Sequence, residues 1–311
     1  MLKMLIFLGF FIDFCTSDSV TINKFLNRPI VCAGNSSTFS QDDSTTIKCG
    51  VHANNSELAE ARSWQEPSSF VMSDHRLIGG AETKPHAWPW AVQLLANGHH
   101  RCGGSLVDSN FVVTAAHCFA RNRRPSSYSV RIGGHISGSG SAHRVTAISI
   151  HPFYNLGWPS SNDFAIMRIF PPVKMSATTR PICLPSGGPI ENRLCVVTGW
   201  GSMREGSVAW APKLREIHVP IIPTLFCNNL PSYAGRIHLP SMLCAGYSYG
   251  QIDSCQGDSG GPLMCARDGH WELTGIVSWG IGCGRPGHPG VYANVHSALT
   301  WIQIEMIRMS I

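Results

Sequence analysis

The apolar positions divide the chain into two textures. From Leu77 onward, short runs rich in β-branched residues recur between Gly, Pro and Asn turns: SYSVRIGG, HRVTAISIHP, RLCVVTGWG and WELTGIVSWG. Runs of this length, bounded by turn formers, predict an all-β sandwich or barrel architecture. One helix is predicted, at the C-terminus. Leu299, Ile302 and Met306 fall at three-and-four spacing, with Ser297 as a candidate N-cap. No repeat of 20–50 residues is present. Residues 18–76 read differently: Ser, Thr, Asn and Asp dominate (NSSTFSQDDSTT, HANNSELAEARSWQEPSS) and apolar positions lack a period. This predicts an extended, irregular segment. The first residues differ again. A short charged start, MLK, precedes nine apolar residues, Met4 to Ile12, which Asp13 interrupts. A spanning helix needs about 20 apolar residues, so residues 1–17 read as a secretory signal with cleavage after Ser17.

Composition sharpens this picture. At 311 residues the chain can bury a substantial core. Its twelve cysteines point to an oxidising compartment, and with the leader and no other membrane-length run they predict a secreted, extracellular protein. Asn35-Ser-Ser and Asn54-Asn-Ser are candidate glycosylation sequons. The net charge of +5 is uneven. Residues 1–76 hold six Lys/Arg against eight Asp/Glu, while residues 77–311 hold 18 against 11. The basic residues are scattered, which suits a solvated surface and argues against nucleic-acid binding.

The chemistry centres on DSCQGDSGGP, Asp253 to Pro262, where Ser259 stands among glycines with aspartates at 253 and 258. A serine hydroxyl is a poor nucleophile at neutral pH. It needs an adjacent base, and that base needs a group that fixes its tautomer. Among 14 histidines, His117 stands out. It lies in TAAHC, directly after the apolar FVVTAA and before Cys118, with Cys102 as a nearby partner that could clamp the loop. Asp163, in NDFAIMRI, precedes a tightly apolar run, where a carboxylate needs hydrogen-bond donors.

Taken together and in order, TAAHC, NDFAI and GDSGGP resemble the trypsin-like, chymotrypsin-fold serine endopeptidases. The resemblance runs over residues 77–311 through WPW, CGGSL, PICLP, TGWG, SWG and PGVY, and in texture is similar to secreted nematode members. It implies two six-stranded antiparallel β-barrels with a C-terminal α-helix and the active site between the barrels. It implies that His117 is the general base for Ser259, that Asp163 holds the imidazole, and that the amides of Gly257 and Ser259 form the oxyanion hole. Ser278 matches a position that bonds the aspartate and the substrate backbone. Asp253 matches the base of the specificity pocket, with Ser254 beside it and Gly280 and Gly290 as its walls, which implies cleavage after Arg or Lys. Asp258 matches the residue that pairs with a new α-amino group. The bond Arg76–Leu77, ahead of LIGG, is the matching activation site, although Leu stands where the family more often has Ile. The chain would then be a zymogen with its propeptide or light chain at 18–76 and its peptidase domain at 77–311.

The resemblance also implies the pairs Cys102–Cys118, Cys195–Cys265, Cys227–Cys244 and Cys255–Cys283, and a propeptide partner for Cys183, for which Cys49 is the first choice. Cys32 is left free, bonded to another chain, or in place of Cys49 once Cys15 departs with the leader. No cofactor is expected and no metal, since residues 121–153 contain neither Asp nor Glu to hold a hard cation. The expected partners are protein or peptide substrates, proteinaceous inhibitors and an activating protease. The competing expectation is a catalytically silent homologue that binds a partner with the same fold.

Overall fold

The structure is a computed structural model that describes residues 48–52, 80–207 and 209–311. The leader, both sequons, Cys15, Cys32, Arg76 and Leu77 lie outside the described residues.

Thirteen strands are described, and twelve of them build two closed barrels. The first runs β2 (Ala91–Ala96), β3 (His99–Asp108), β4 (Phe111–Thr114), β7 (Ala165–Phe170), β6 (Ser141–Ile150) and β5 (Tyr128–Ile132), all antiparallel, with β5 returning to β2. The second runs β8 (Leu194–Gly199), β9 (Arg215–Ile222), β10 (Met242–Ala245), β13 (Gly290–Asn294), β12 (His270–Trp279) and β11 (Pro262–Arg267), with β11 closing on β8. A two-residue strand, β1 (Ala81–Glu82), adds to β9 by pairing Ala81 with Glu216 and Glu82 with Arg215. Closure pairs the barrel strands with one another, and β1 covers the start of β9, which β10 does not reach.

Alternation produces the barrel interiors. In β5, Tyr128, Val130 and Ile132 are buried while Ser129 and Arg131 are only half-buried. Leu94, Leu106, Val112, Val113, Ile166 and Met167 are fully buried too, the consecutive pairs because both faces of β4 and β7 are covered. Val219, Leu243, Leu263 and Tyr292 do the same in the second barrel. Truncating such a side chain to alanine costs about 2–5 kcal/mol, so these positions fix the barrels whose facing loops carry the chemistry.

The C-terminal helix is α2 (Leu299–Ser310), which anchors by Ile302 and Met309, both buried. Ser297 is not its N-cap. It lies in a 3₁₀ turn over Val295–Ala298, its hydroxyl donates to the Asn294 carbonyl at 2.7 Å, and Ala298 takes the cap position without a side-chain bond. The sequence pattern also missed a six-residue helix, α1 (Thr224–Asn229), too short to show a period.

Among the described residues five disulfides close the fold: Cys49–Cys183, Cys102–Cys118, Cys195–Cys265, Cys227–Cys244 and Cys255–Cys283. Each removes conformational freedom from the unfolded chain, and the long loops remove the most. Residues 48–52 are held by more than sulfur. Gly50 donates its N–H to Pro181 and accepts from Trp271 N, and His52 packs edge-on to Trp88 at 4.6 Å. Gly50 has φ +67°, and a Cβ there would lie 2.5 Å from the Trp271 carbonyl, so glycine is required.

Candidate active site

His117 sits on a 3₁₀ turn, Ala116–Phe119, that follows β4 directly. Its ring is set by Asp163, two residues before β7, whose carboxylate is 1% exposed. Asp163 Oδ2 lies 2.7 Å from His117 Nδ1, and Oδ1 accepts the His117 backbone N–H at 2.9 Å. Ser278, at the end of β12, donates its hydroxyl to Oδ2 at 2.6 Å. Three donors satisfy a carboxylate that burial alone would make costly. The bond to Nδ1 also fixes the tautomer and leaves Nε2 free to accept a proton.

Ser259 lies in the turn between the Cys255 disulfide and β11. Its carbonyl accepts Gly103 N at 2.8 Å, which ties the turn to β3 beside the His117 element. No hydrogen bond joins the Ser259 hydroxyl to the His117 ring in this structure. The amides around it divide into two groups. Asp258 N, Gly260 N and Gly261 N donate to Cys255, Val277 and Asp258 carbonyls. Among the described residues, Gly257 N and Ser259 N have no such acceptor. Two open donors on one tight turn suit an oxygen that gains negative charge. Gly257 holds φ +93°, and a Cβ there would meet the Trp210 ring at 2.7 Å.

Asp253 is 4% exposed and accepts Ser254 N at 2.8 Å and Gly284 N at 3.0 Å. Burial pushes its pKa up to about 7, with Asp258 adding to the rise and the two backbone bonds opposing it. No cation among the described residues pairs with it. A buried carboxylate without a counterion is costly unless a ligand supplies one. Gly290 keeps this site open, because a Cβ there would lie 2.8 Å from Asp253 Oδ1. Gly280 is less constrained: the nearest atom to a Cβ there is the Gly282 carbonyl, at 3.6 Å.

Asp258 is buried as well, at 3% exposure. Its carboxylate accepts Gly201 N at 2.8 Å and Cys255 N at 3.0 Å, and burial raises its pKa to about 6 against those two bonds. Gly199 and Gly201 line it so closely that neither tolerates a Cβ. It too has no cationic partner among the described residues.

Three features lay beyond the sequence reading. His100 accepts from Gln93 Nε2 at Nδ1 (3.1 Å) and donates from Nε2 to the Gly257 carbonyl (2.9 Å), so it braces the turn. Burial holds its pKa below the usual imidazole range, which keeps the ring neutral. Trp210 packs edge-on to His100 at 5.2 Å. Glu205 accepts from Arg285 (2.5 Å) and from Cys283 N (3.3 Å), and so clasps the loop whose Gly284 reaches Asp253. The adjacency of His100 to Cys102 was the one available signal. The others join segments about 50–110 residues apart.

A ring nitrogen of His117 and the sulfurs of Cys102 and Cys118 lie within 4.8 Å of one another. That is metal-site spacing, but the sulfurs are joined as a disulfide and offer no thiolate ligand. No helix among the described residues is long and apolar enough to cross a membrane.

Comparison with known proteins agrees with this arrangement. Residues 77–302 match the family model described as Trypsin. Over 232 residues the chain is 42% identical to rat transmembrane protease serine 9, a match covering 73% of this chain and 21% of that protein. The chain therefore spans about a fifth of that relative's length. Barrels, site and similarity together place the chain in the trypsin family of serine proteases.

Proposed function

We propose that the chain is the zymogen of a secreted serine endopeptidase that hydrolyses peptide bonds after Arg or Lys. The observation that carries the reading is the linked set Ser278–Asp163–His117 next to Ser259. Asp163 keeps the His117 proton on Nδ1, so Nε2 acts as base when the Ser259 hydroxyl attacks the scissile carbonyl. The Ser259–His117 contact tightens when substrate fills the cleft, as such contacts commonly do. His117 then returns the proton to the leaving amine. The Gly257 and Ser259 amides receive the developing oxyanion, each worth about 3 kcal/mol in the transition state. An acyl-enzyme on Ser259 is hydrolysed by water through the same steps in reverse.

Arg/Lys selectivity follows from Asp253, where the cation of the substrate side chain supplies the missing counterion. Ser254 stands beside the carboxylate and Gly280 and Gly290 leave the entrance free. Activation follows from Asp258. Cleavage after Arg76 frees the Leu77 amine, which pairs with Asp258 and orders the oxyanion turn. Residues 18–76 then remain attached as a light chain through Cys49–Cys183. Substrates, proteinaceous inhibitors and an activating protease are the partners, and secretion follows from the leader at 1–17.

The test is hydrolysis of an arginyl anilide after controlled cleavage. The cleaved protein should begin at Leu77 and turn the substrate over, and its Ser259→Ala variant should not. Equal rates in the two would favour the silent, partner-binding homologue instead.

A further inference from the structure

Strand β3 carries an irregularity beside the proposed site. Leu94 pairs with Cys102 and Leu95 pairs with His100, so Arg101 is the extra residue of a β-bulge and faces no partner on β2. Bulges re-aim side chains and recur next to active sites. Here the bulge sends Arg101 to the His117 element, where its Nε donates to the Cys118 carbonyl at 3.3 Å.

The loop that leaves this element is basic and held in shape. Arg121, Arg123 and Arg124 are all exposed. Asn122 organises them: its N–H donates to Phe119, its side-chain oxygen accepts Arg124 N at 2.9 Å, and its amide donates to Ser127 Oγ at 2.8 Å. The Tyr128 hydroxyl donates to the Asn122 carbonyl at 2.6 Å. The bond from Arg101 to the Cys118 carbonyl places it at the base of the same loop.

None of these four arginines forms an ion pair among the described residues. Arg285 and Arg308, exposed like the three loop arginines, pair with Glu205 and Glu305. The local sequence explains the difference, since residues 109–162 contain no Asp or Glu. An uncompensated cationic loop, its backbone held by Asn122, thus leaves the His117 element, whose Cys118 Sγ lies 3.9 Å from the Ser259 carbonyl. The Asp253 carboxylate is lined by other segments, at Ser254, Gly284 and Gly290.

We propose that Arg101, Arg121, Arg123 and Arg124 select acidic residues in the substrate segment that follows the scissile bond. The inference rests on the proposed function: with the residue before the bond in the Asp253 pocket, the segment after it is assigned to the other wall at Ser259, where Gly103 of β3 and Cys118 of the Cys102–Cys118 bridge meet its carbonyl. Carboxylates there meet guanidinium groups that can accept them bidentately.

The test uses three internally quenched peptides that share an Arg before the scissile bond. They carry Ala-Ala, Glu-Asp or Lys-Lys at the second and third positions after it. With two or three partly exposed pairs, the Glu-Asp peptide should exceed the Ala-Ala peptide about five- to thirty-fold in kcat/KM at low salt. The advantage should shrink toward unity at 1 M NaCl, where charges are screened beyond about 3 Å. The acidic-to-neutral ratio, read within one preparation so that misfolded protein cancels, should fall in Arg101→Gln and in an R121Q/R123Q/R124Q variant. A wild-type ratio near one, or a ratio unchanged in both variants, overturns the inference. An arginyl anilide, with no residues after the scissile bond, separates the two readings. Failure to cleave it sinks the proposed function. Cleavage of it without an acidic preference sinks this inference alone.

Discussion

Asp258→Asn should have opposite consequences before and after cleavage, and the structure sets both magnitudes. In the uncleaved chain the carboxyl is buried with two backbone donors, and its pKa rises from 3.8 to about 6. The folded state therefore binds this proton more tightly than the unfolded chain does. The stability it contributes is fully present below about pH 4 and is lost as pH rises through about 6. A rise of about two units at ~1.4 kcal/mol per unit means that ionised Asp258 opposes folding by about 3 kcal/mol at pH 8. Asparagine removes that cost but turns an NH₂ toward one of the two backbone N–H groups, a loss of about 1–2 kcal/mol. The uncleaved Asp258→Asn protein should thus be about 1–2 kcal/mol more stable at pH 8 and about as much less stable at pH 4. After cleavage the Leu77 ammonium would be buried with no counter-charge. Breaking a buried pair costs about 3–5 kcal/mol, or two to three orders of magnitude in active enzyme. The assays are urea denaturation of the uncleaved protein in a Ser259→Ala background at both pH values, and anilide hydrolysis after cleavage. Equal destabilisation at both pH values, or full activity after cleavage, would refute the reasoning.

Asp253 predicts a pH dependence of cation binding. Burial pushes the Asp253 carboxyl up to about 7, and a cation binds its ionised form. Benzamidine affinity for the Ser259→Ala protein should therefore be full above pH 7 and fall about tenfold per unit below it, with a proton released on binding. Calorimetry between pH 5.5 and 8 checks this, and a flat profile contradicts it. Ser278→Ala removes a 2.6 Å bond to the Asp163 carboxylate. Hydrogen bonds to charged groups contribute about 1.5–3 kcal/mol, so kcat should drop at least about tenfold with little change in KM. An unchanged kcat would deny Ser278 an orienting role. Glu205→Ala releases the loop that carries Gly284 to Asp253. The pair with Arg285 is exposed, so the expected rise in KM for arginyl substrates is only about two- to five-fold, with kcat preserved. Initial-rate kinetics would show otherwise if the clasp has no bearing on the pocket.

The sequence made some features legible because they are local. Strand runs bounded by turn residues mark β5, β6, β8 and β12, and the spacing of Leu299, Ile302 and Met306 marks α2. The motifs around His117, Asp163 and Ser259 are short and each sits at the edge of a barrel strand. What stayed hidden depends on contacts between distant segments. Nothing near Gly201 announces that its amide serves Asp258, 57 residues later. The bulge at Arg101 arises from the pairing of β2 with β3, not from either strand alone. Ser297 looked like a cap because its side chain suits one, but its hydroxyl is taken by Asn294 and the turn tightens before α2 begins. Glu205 and Arg285 meet only because two loops converge on the pocket.

The central claim is that His117 makes Ser259 the nucleophile of an enzyme activated at Leu77. A fluorophosphonate label read by peptide mass spectrometry tests it most directly. In protein cleaved after Arg76 the adduct should fall on Ser259, and it should be lost in His117→Ala and strongly slowed in the uncleaved chain. An adduct on another residue, or equal labelling of Ser259 without His117, would contradict the account.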